Sequence, residues 1–312
     1  MSIRNFKYEA DIVMLIKNLK IEYEQKKISK YEYLSQVCEY NKVLFDYSWL
    51  MENSIAKSIN IDKDGVVVEI KYTDIKLHMI YGDIGIIPSV ILALGYYEEL
   101  LWKKVLSLLD KPKIIVDAGA NIGYFSLFFN HYFPDAKIYA FEPIPNTYQY
   151  FKKNIEINNC QSITTYNLGL FNEKKEIDMY YNMEGSGSSS LVDLLNTKNT
   201  KNIKCKFTTL DNFYEENDIR GCNLIKCDVE GAEKFVIEGG INVIKKYKPV
   251  IFCEMLRKWS AKFNYHPNDI IAMLSNIGYI CYAISDNSFI KINEVNDNTE
   301  ETNFIFSTIK YN

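Results

Sequence analysis

The residues of this chain best suited to chemistry are carboxylates and glycines placed at the ends of apolar runs. Ile114 to Gly123 reads Ile-Ile-Val-Asp-Ala-Gly-Ala-Asn-Ile-Gly, and about 20 residues later a second apolar run closes with Phe141-Glu142-Pro143. A strand, a tight glycine turn, a helix start and a second strand ending in an acid is how an open α/β sheet builds a nucleoside pocket. In that arrangement Asp117 stands at the carboxyl end of a strand, while Gly119 and Gly123 let the backbone turn tightly and approach a ligand. Asn121 serves as N-cap of the helix that follows, whose free N–H groups suit an anion, and Glu142 accepts hydrogen bonds from both hydroxyls of a ribose.

A second constellation lies downstream, Leu224-Ile-Lys-Cys-Asp-Val-Glu-Gly-Ala-Glu233. Asp228 ends a fourth strand and Glu254 a fifth, so both carboxylates share the sheet edge of the glycine turn. An acid directly after an apolar strand is costly without a partner, which marks Asp228 for function. The pair suits either a direct general base or Mg²⁺ held against vicinal hydroxyls. Glu230 reads equally as a catalytic acid and as a helix-start charge, and Glu233 better as the latter. His266 is a third candidate base and equally a loop residue, whereas His78 and His131 read as structural. Lys226 either alternates outward or pairs with an acid. Trp259, Phe263 and Tyr265 either stack on a sugar face or pack their loop, and Glu98 and Glu99 either cap the pocket or form a solvated helix face.

The same parts accommodate two cofactor classes. Dinucleotide sites use three glycines so that a pyrophosphate rests on bare backbone. Here an acid leads the turn, Asp117-Ala-Gly-Ala-Asn-Ile-Gly123, and alanine fills the space between glycines. A carboxylate repels a pyrophosphate and attracts the ammonium of a methionine moiety, which favours S-adenosylmethionine over NAD.

The elements that must position these groups follow from periodicity. Strands are expected at 113–117, 137–142, 162–167, 222–228 and 249–254, and helices at 122–131, 146–158, 231–246 and 267–277. Regular alternation implies a doubly wound parallel sheet with helices on both faces. Asn167, closing the third strand, joins the candidate cofactor contacts. Residues 1–55 read as a helical extension, 56–110 as a small strand-helix lead-in with a helix over 93–108, and 111–312 as the main domain. That domain carries an insertion at about 170–216, whose Gly185–Ser190 segment is either a lid or a plain connection, and ends in two strands within 278–285 and 303–309.

Composition narrows the classes further. A net charge of −4 over 312 residues argues against a nucleic-acid partner, which needs clustered Lys and Arg. Seven scattered cysteines without a Cys-x-x-Cys pair fit a reducing, cytoplasmic compartment. No stretch approaches the ~20 apolar residues of a membrane span, and the apolar run Ile12–Ile16 is too short for a signal peptide.

Together Val116 to Tyr124, Ala140 to Pro143, Thr209-Leu-Asp211 and Ile225 to Glu233 with Glu254 resemble the FkbM family of methyltransferases over roughly residues 95–310. The resemblance implies a Rossmann-like class I methyltransferase sheet with a terminal antiparallel strand, and O-methylation of a sugar or polyketide hydroxyl. On the family pattern Asp117, Gly119, Asn121 and Glu142 are cofactor contacts. The expected activity is therefore S-adenosylmethionine-dependent methyl transfer to a sugar hydroxyl in surface polysaccharide or glycoside biosynthesis. A natural-product or peptide acceptor, an NAD-dependent oxidoreductase and a non-catalytic glycan-binding protein remain as rivals. The amphipathic N-terminal helices are expected either to pair two subunits into a homo-oligomer or to close over the acceptor site.

Overall fold

The computed structural model describes residues 15–182, 190–191, 200–285 and 288–311, so Ile12 and residues 185–189 lie outside the described residues. Two compact units meet at the Ser54–Ile55 bond. The first holds α1 (Leu15–Glu24) and α2 (Lys30–Glu52). A capping box starts α2: Ser29 Oγ accepts from the Glu32 N–H at 3.2 Å, and Glu32 Oε2 accepts from the Ser29 N–H at 2.8 Å. None of its side chains is buried, and Leu34, Phe45 and Trp49 are exposed.

The second unit opens with an antiparallel sheet of β1 (Ala56–Asp62), β2 (Gly65–Ile70) and β3 (Lys76–His78). The Asn158 side chain accepts from the Lys76 N–H and donates to its carbonyl, and Asn154 Oδ1 accepts from the His78 N–H at 2.9 Å. These amides occupy an otherwise unpaired strand edge. The single helix expected over 93–108 is two, α3 (Ile87–Leu94) and α4 (Glu99–Ser107). Gly95, at φ 88°, returns its N–H to Ile91 and ends α3 with a left-handed cap.

The main sheet follows the expected alternation: β4 (Ile114–Ala118), α5 (Tyr124–Tyr132), β5 (Lys137–Phe141), α6 (Pro145–Ile157) and β6 (Ile163–Tyr166). The insertion is ordered where described. Its β7 (Gly169–Leu170), β8 (Lys175–Asn182) and β9 (Thr200–Thr208) form a second small sheet, followed by α7 (Leu210–Glu216). The chain then returns through β10 (Leu224–Cys227), α8 (Glu233–Gly239), α9 (Ile241–Tyr247) and β11 (Val250–Glu254). The helix expected over 231–246 is broken at Gly239-Gly240, where a β-carbon at Gly239 would collide with the Phe171 carbonyl oxygen, so the close approach of that loop requires glycine. The short α10 (Arg257–Ser260), then α11 (Pro267–Ser275), β12 (Ile280–Ile284), β13 (Phe289–Ile292) and β14 (Asn303–Ser307) complete the chain.

Strand order is β13-β12-β14-β11-β10-β4-β5-β6. The pairs among β11, β10, β4, β5 and β6 are parallel, and β14 inserts antiparallel between β11 and β12. This is the class I methyltransferase sheet with one added edge strand, β13. Buried runs such as Leu224–Cys227 and Ile115–Ala118 mark a sheet covered on both faces. Five cysteines, among them Cys227 and Cys253 on adjacent strands, are buried free thiols, while Cys38 is exposed and Cys160 half-buried. No helix among the described residues is long and apolar enough to cross a membrane.

The chain runs outward from β4 to β6 and then crosses back to β10 on the other side of β4, so strand order reverses between β4 and β10. Ligands of open α/β sheets bind at such a reversal, outside the carboxyl strand ends. There the β4 turn passes so close to the next strand end that a β-carbon on Gly119, at φ 77°, would collide with the Asp228 carbonyl oxygen. Gly119→Ala combines that collision with a left-handed backbone, and is expected to destabilise the fold by about 2 kcal/mol or more, measured by thermal unfolding.

Candidate functional site

A cavity of about 290 Å³ opens at this reversal, close to the lower size of small-molecule sites. Its floor is the Gly119-Ala120-Asn121 turn; Glu142, Pro143 and Ile144 follow β5; Asp228, Val229 and Glu230 follow β10; Glu254 ends β11. One side is apolar, built from Ile144, Leu170, Met179, Leu191 and Phe207. Tyr97 and Glu98 reach the cavity from the turn before α4.

Lys226 forms part of the floor. Strand β10 points its side chain into the sheet interior, only 2% exposed, where Nζ stands 3.4 Å from Asp117 Oδ1 and 3.3 Å from Asp228 Oδ2 and donates to the Gly119 carbonyl at 2.7 Å. Burial opposes its charge, but the Asp228 and Asp117 carboxylates outweigh burial and hold the ammonium above its ordinary range. Asp117 itself is fully buried and accepts from Ser126 Oγ at 2.6 Å.

Glu142 is fixed at both oxygens, Oε2 accepting from the Asn121 N–H at 3.0 Å and Oε1 from the Ile144 N–H at 2.8 Å. Burial still pushes its carboxyl up to about 7. Glu98 stands at about 7 for the same reason, with Asp228 adding to the shift. Asp228, Glu230 and Glu254 bring carboxylate oxygens within 4.8 Å of one another, spacing that admits a metal ion. Burial first, then the Asp228 charge, raises Glu230 and Glu254 well above the carboxylate range. Among the described residues, five carboxyl groups thus line the cavity against one lysine.

The structure brings Gly119, Asn121, Glu142, Asp228, Glu230 and Glu254 together in one cavity lining and revises four other positions. Asp117 is not at the cavity surface; the lysine, not a ligand, is its counter-charge. Gly123, not Asn121, is the N-cap of α5, and Gly123 packs on the Phe151 ring away from the cavity. The exposed Asn167 donates to the Glu142 and Pro143 carbonyls at 2.9 Å, holding the strand end from outside. His266 is the N-cap of α11, its Nδ1 accepting from the Asn268 N–H at 3.2 Å, and it does not line the cavity.

Glu233 is structural, accepting the Val229 and Gly231 N–H groups and so shaping the loop that presents Asp228 and Glu230. Tyr265 lies against the same carboxylate at 3.1 Å, and Phe263 and Trp259 press on Gly231, so these aromatics pack the loop. Tyr97 and Leu191 carried no sequence signal, because neither sits in a motif; only the small second sheet and the turn before α4 bring them in.

Glu98, Glu142 and Glu233 all stand at about 7 when folded, against 4.5 ordinarily. Between those values the folded chain holds more protons than the unfolded chain, so stability is greatest on the acidic side and falls as pH rises through 7. Thermal unfolding of the ligand-free protein is expected to show a Tm lower at pH 8 than at pH 5.5 by at least about 2 °C.

The Methyltransferase FkbM domain family model matches residues 117–281. Methyltransferase 1 of Beauveria bassiana is 32% identical over 142 residues, 40% of this chain and 57% of that protein. The 2-O-methyltransferase NoeI of Sinorhizobium fredii is 26% identical over 159 residues, 46% of this chain and 64% of that protein. The chain thus spans little more than half to two thirds of the length of the curated relatives it matches. The methyltransferase FkbM structure from Methylobacillus flagellatus KT aligns with a TM-score of 0.42 at 14% identity, over 64% of this chain and 45% of that one. With more than half of its residues matched by that family model, the chain belongs to the FkbM methyltransferase domain family.

Proposed function

We propose that the protein is an S-adenosylmethionine-dependent O-methyltransferase acting on a sugar hydroxyl. The observation that carries the cofactor assignment is the acidic make-up of the cavity, five carboxyl groups against one lysine among the described residues at a strand-order reversal. A pyrophosphate is repelled there, whereas a ligand carrying an ammonium and a sulfonium is attracted. Two further features fit. Glu142 lines the cavity as an incompletely compensated carboxylate able to accept from two ribose hydroxyls, and Asn121 Oδ1 is buried without a hydrogen-bond partner, an acceptor suited to an ammonium. The apolar side formed by Ile144, Leu170, Met179 and Phe207 suits an adenine ring.

When bound, S-adenosylmethionine supplies an electrophilic methyl group on sulfur. The chain has to hold an acceptor hydroxyl in line with that methyl, exclude water and take up one proton. A lone pair of the acceptor oxygen forms the new C–O bond as the C–S bond breaks with its electrons left on sulfur. The hydroxyl proton has to pass to an ionised carboxylate; burial holds Glu230 and Glu254 protonated near neutral pH, which leaves Asp228, paired with Lys226, as the acceptor in that group. Alternatively, Mg²⁺ on Asp228, Glu230 and Glu254 would orient vicinal hydroxyls. The sugar class draws on the family and on the relative named a 2-O-methyltransferase; a natural-product acceptor is the second reading. We place the activity in the cytoplasm on cysteine usage, and assign self-association to the unburied face of α2. Removal of residues 1–50 is then expected to lower the mass seen by light scattering.

Calorimetry with S-adenosylhomocysteine should give saturable binding that Glu142→Ala weakens about tenfold or more, the worth of a charge-assisted hydrogen bond. Affinity should also fall as pH drops below about 7, where Glu142 takes up its proton and accepts less well. Incubation with methyl-labelled S-adenosylmethionine and a panel of nucleotide sugars and non-sugar alcohols, with and without Mg²⁺, then tests the acceptor. Label on sugar hydroxyls supports the reading. Binding of NADH with none of S-adenosylhomocysteine sinks it.

A further inference from the structure

Glu98 lies upstream of the segment matched by the family, and none of the motifs that carry the family resemblance includes it. Its conformation is unusual for its position. It is the residue before the first turn of α4, where an acid ordinarily serves as a cap, yet its side chain makes no capping hydrogen bond. It also sits in the left-handed region at φ 46°, where a non-glycine residue is strained. The segment is held there deliberately. Tyr124 of α5 donates its hydroxyl to the Tyr97 carbonyl at 2.9 Å, and the Tyr97 ring packs edge-on against the Tyr124 ring with centroids 5.2 Å apart. The result is that the Glu98 carboxylate leaves the helix end and lines the cavity instead.

Inside the cavity Glu98 joins one electrostatic group. Asp228 acts on Glu98, and Asp228, Glu230 and Glu98 all act on Glu254, whereas Glu142 lies outside that group and is influenced instead by Lys226 and Asp117. The cavity therefore has two acidic regions, a single anchored carboxylate at one and Glu98, Asp228, Glu230 and Glu254 at the other. Lys226 is the one ammonium lining the cavity among the described residues, and it is already shared between Asp117 and Asp228. Glu230 and Glu254 relieve part of this crowding by holding protons, and Glu98 and Asp228 facing half of one positive charge still leave that region short of a cation.

Resting on the cofactor reading above, we propose that Glu98 is a specificity-determining residue that completes a cation-selective subsite, so that the cavity prefers the sulfonium of S-adenosylmethionine to the neutral thioether of S-adenosylhomocysteine. Methyl transfer removes the positive charge from sulfur. The subsite thus binds the substrate form of the cofactor and loosens its hold on the product form. The same charge count extends to any ligand carrying a cation in place of the sulfonium.

The test is calorimetric titration of the full chain at pH 8 with S-adenosylmethionine, S-adenosylhomocysteine and sinefungin, in which a protonated amine replaces the sulfonium. The wild type is expected to bind both cationic ligands at least about tenfold more tightly than the neutral one. Glu98→Gln should narrow that ratio at least about threefold while leaving S-adenosylhomocysteine affinity nearly unchanged. Glu98→Asn removes the same charge with a residue that tolerates the left-handed backbone, so a stable protein with the same narrowed ratio separates charge from fold. Equal affinities in the wild type, or a ratio that neither variant moves, would overturn the proposal with the cofactor reading intact. Failure of all three ligands to bind would instead reject the cofactor reading and this subsite with it.

Discussion

The arrangement depends on one buried ammonium. Lys226 reaches Asp117 beneath the floor, Asp228 at its rim and the Gly119 carbonyl between them, and so joins strands β4 and β10 at the point where the sheet order reverses. Removing one member of such a network leaves an uncompensated buried charge, which costs several kcal/mol. The contact between Gly119 and the Asp228 carbonyl is the steric counterpart of the same constraint, since the lysine can span both acids only if the two strand ends approach without a side chain between them. Glycine in the turn is thus required by the neighbouring strand as much as by a ligand.

A second consequence is a division of labour among acids of similar sequence context. Asp117 lies in β4 and Asp228 follows β10, but one is enclosed against Lys226 and Ser126 while the other faces the cavity. Glu230 and Glu233 lie in one short loop. Glu233 turns inward to bind the loop's own N–H groups, which frees Glu230, at φ 54°, to face the cavity. Raised carboxyls in this group follow from burial first and from crowding of like charges second.

The parallel core was legible because strands buried on both faces read as apolar runs ending in acids, as at Val116-Asp117 and Cys227-Asp228. The second small sheet was not, since strand alternation such as Ile177, Met179 and Tyr181 against Glu176, Asp178 and Tyr180 was outweighed by the turn signals around it. Glu142 and Asp228 were found from spacing. The role of Lys226 was left open because periodicity in a fully buried strand does not say which face a side chain takes. His266 illustrates the opposite case: a residue before proline at a helix start has a local use for its ring, and that local hydrogen bond took precedence over a reach to the pocket. Glu98 was open between capping the pocket and a solvated helix face, and the left-handed backbone before α4, which periodicity does not report, turns it to the cavity.

The distribution of sulfur makes the chain unusually easy to address by chemistry. Five of its thiols are sealed among apolar side chains, and burial pushes Cys205 and Cys222 to about 12, so they are closed to reagents that attack through the thiolate. Cys38 is exposed on α2, while Cys160 is half-buried and held above its ordinary range by burial. Each compact unit therefore carries one reachable thiol, and they differ in reactivity. A limiting amount of maleimide would mark the helical unit first, giving a spectroscopic ruler between the two units without introducing or deleting a single cysteine.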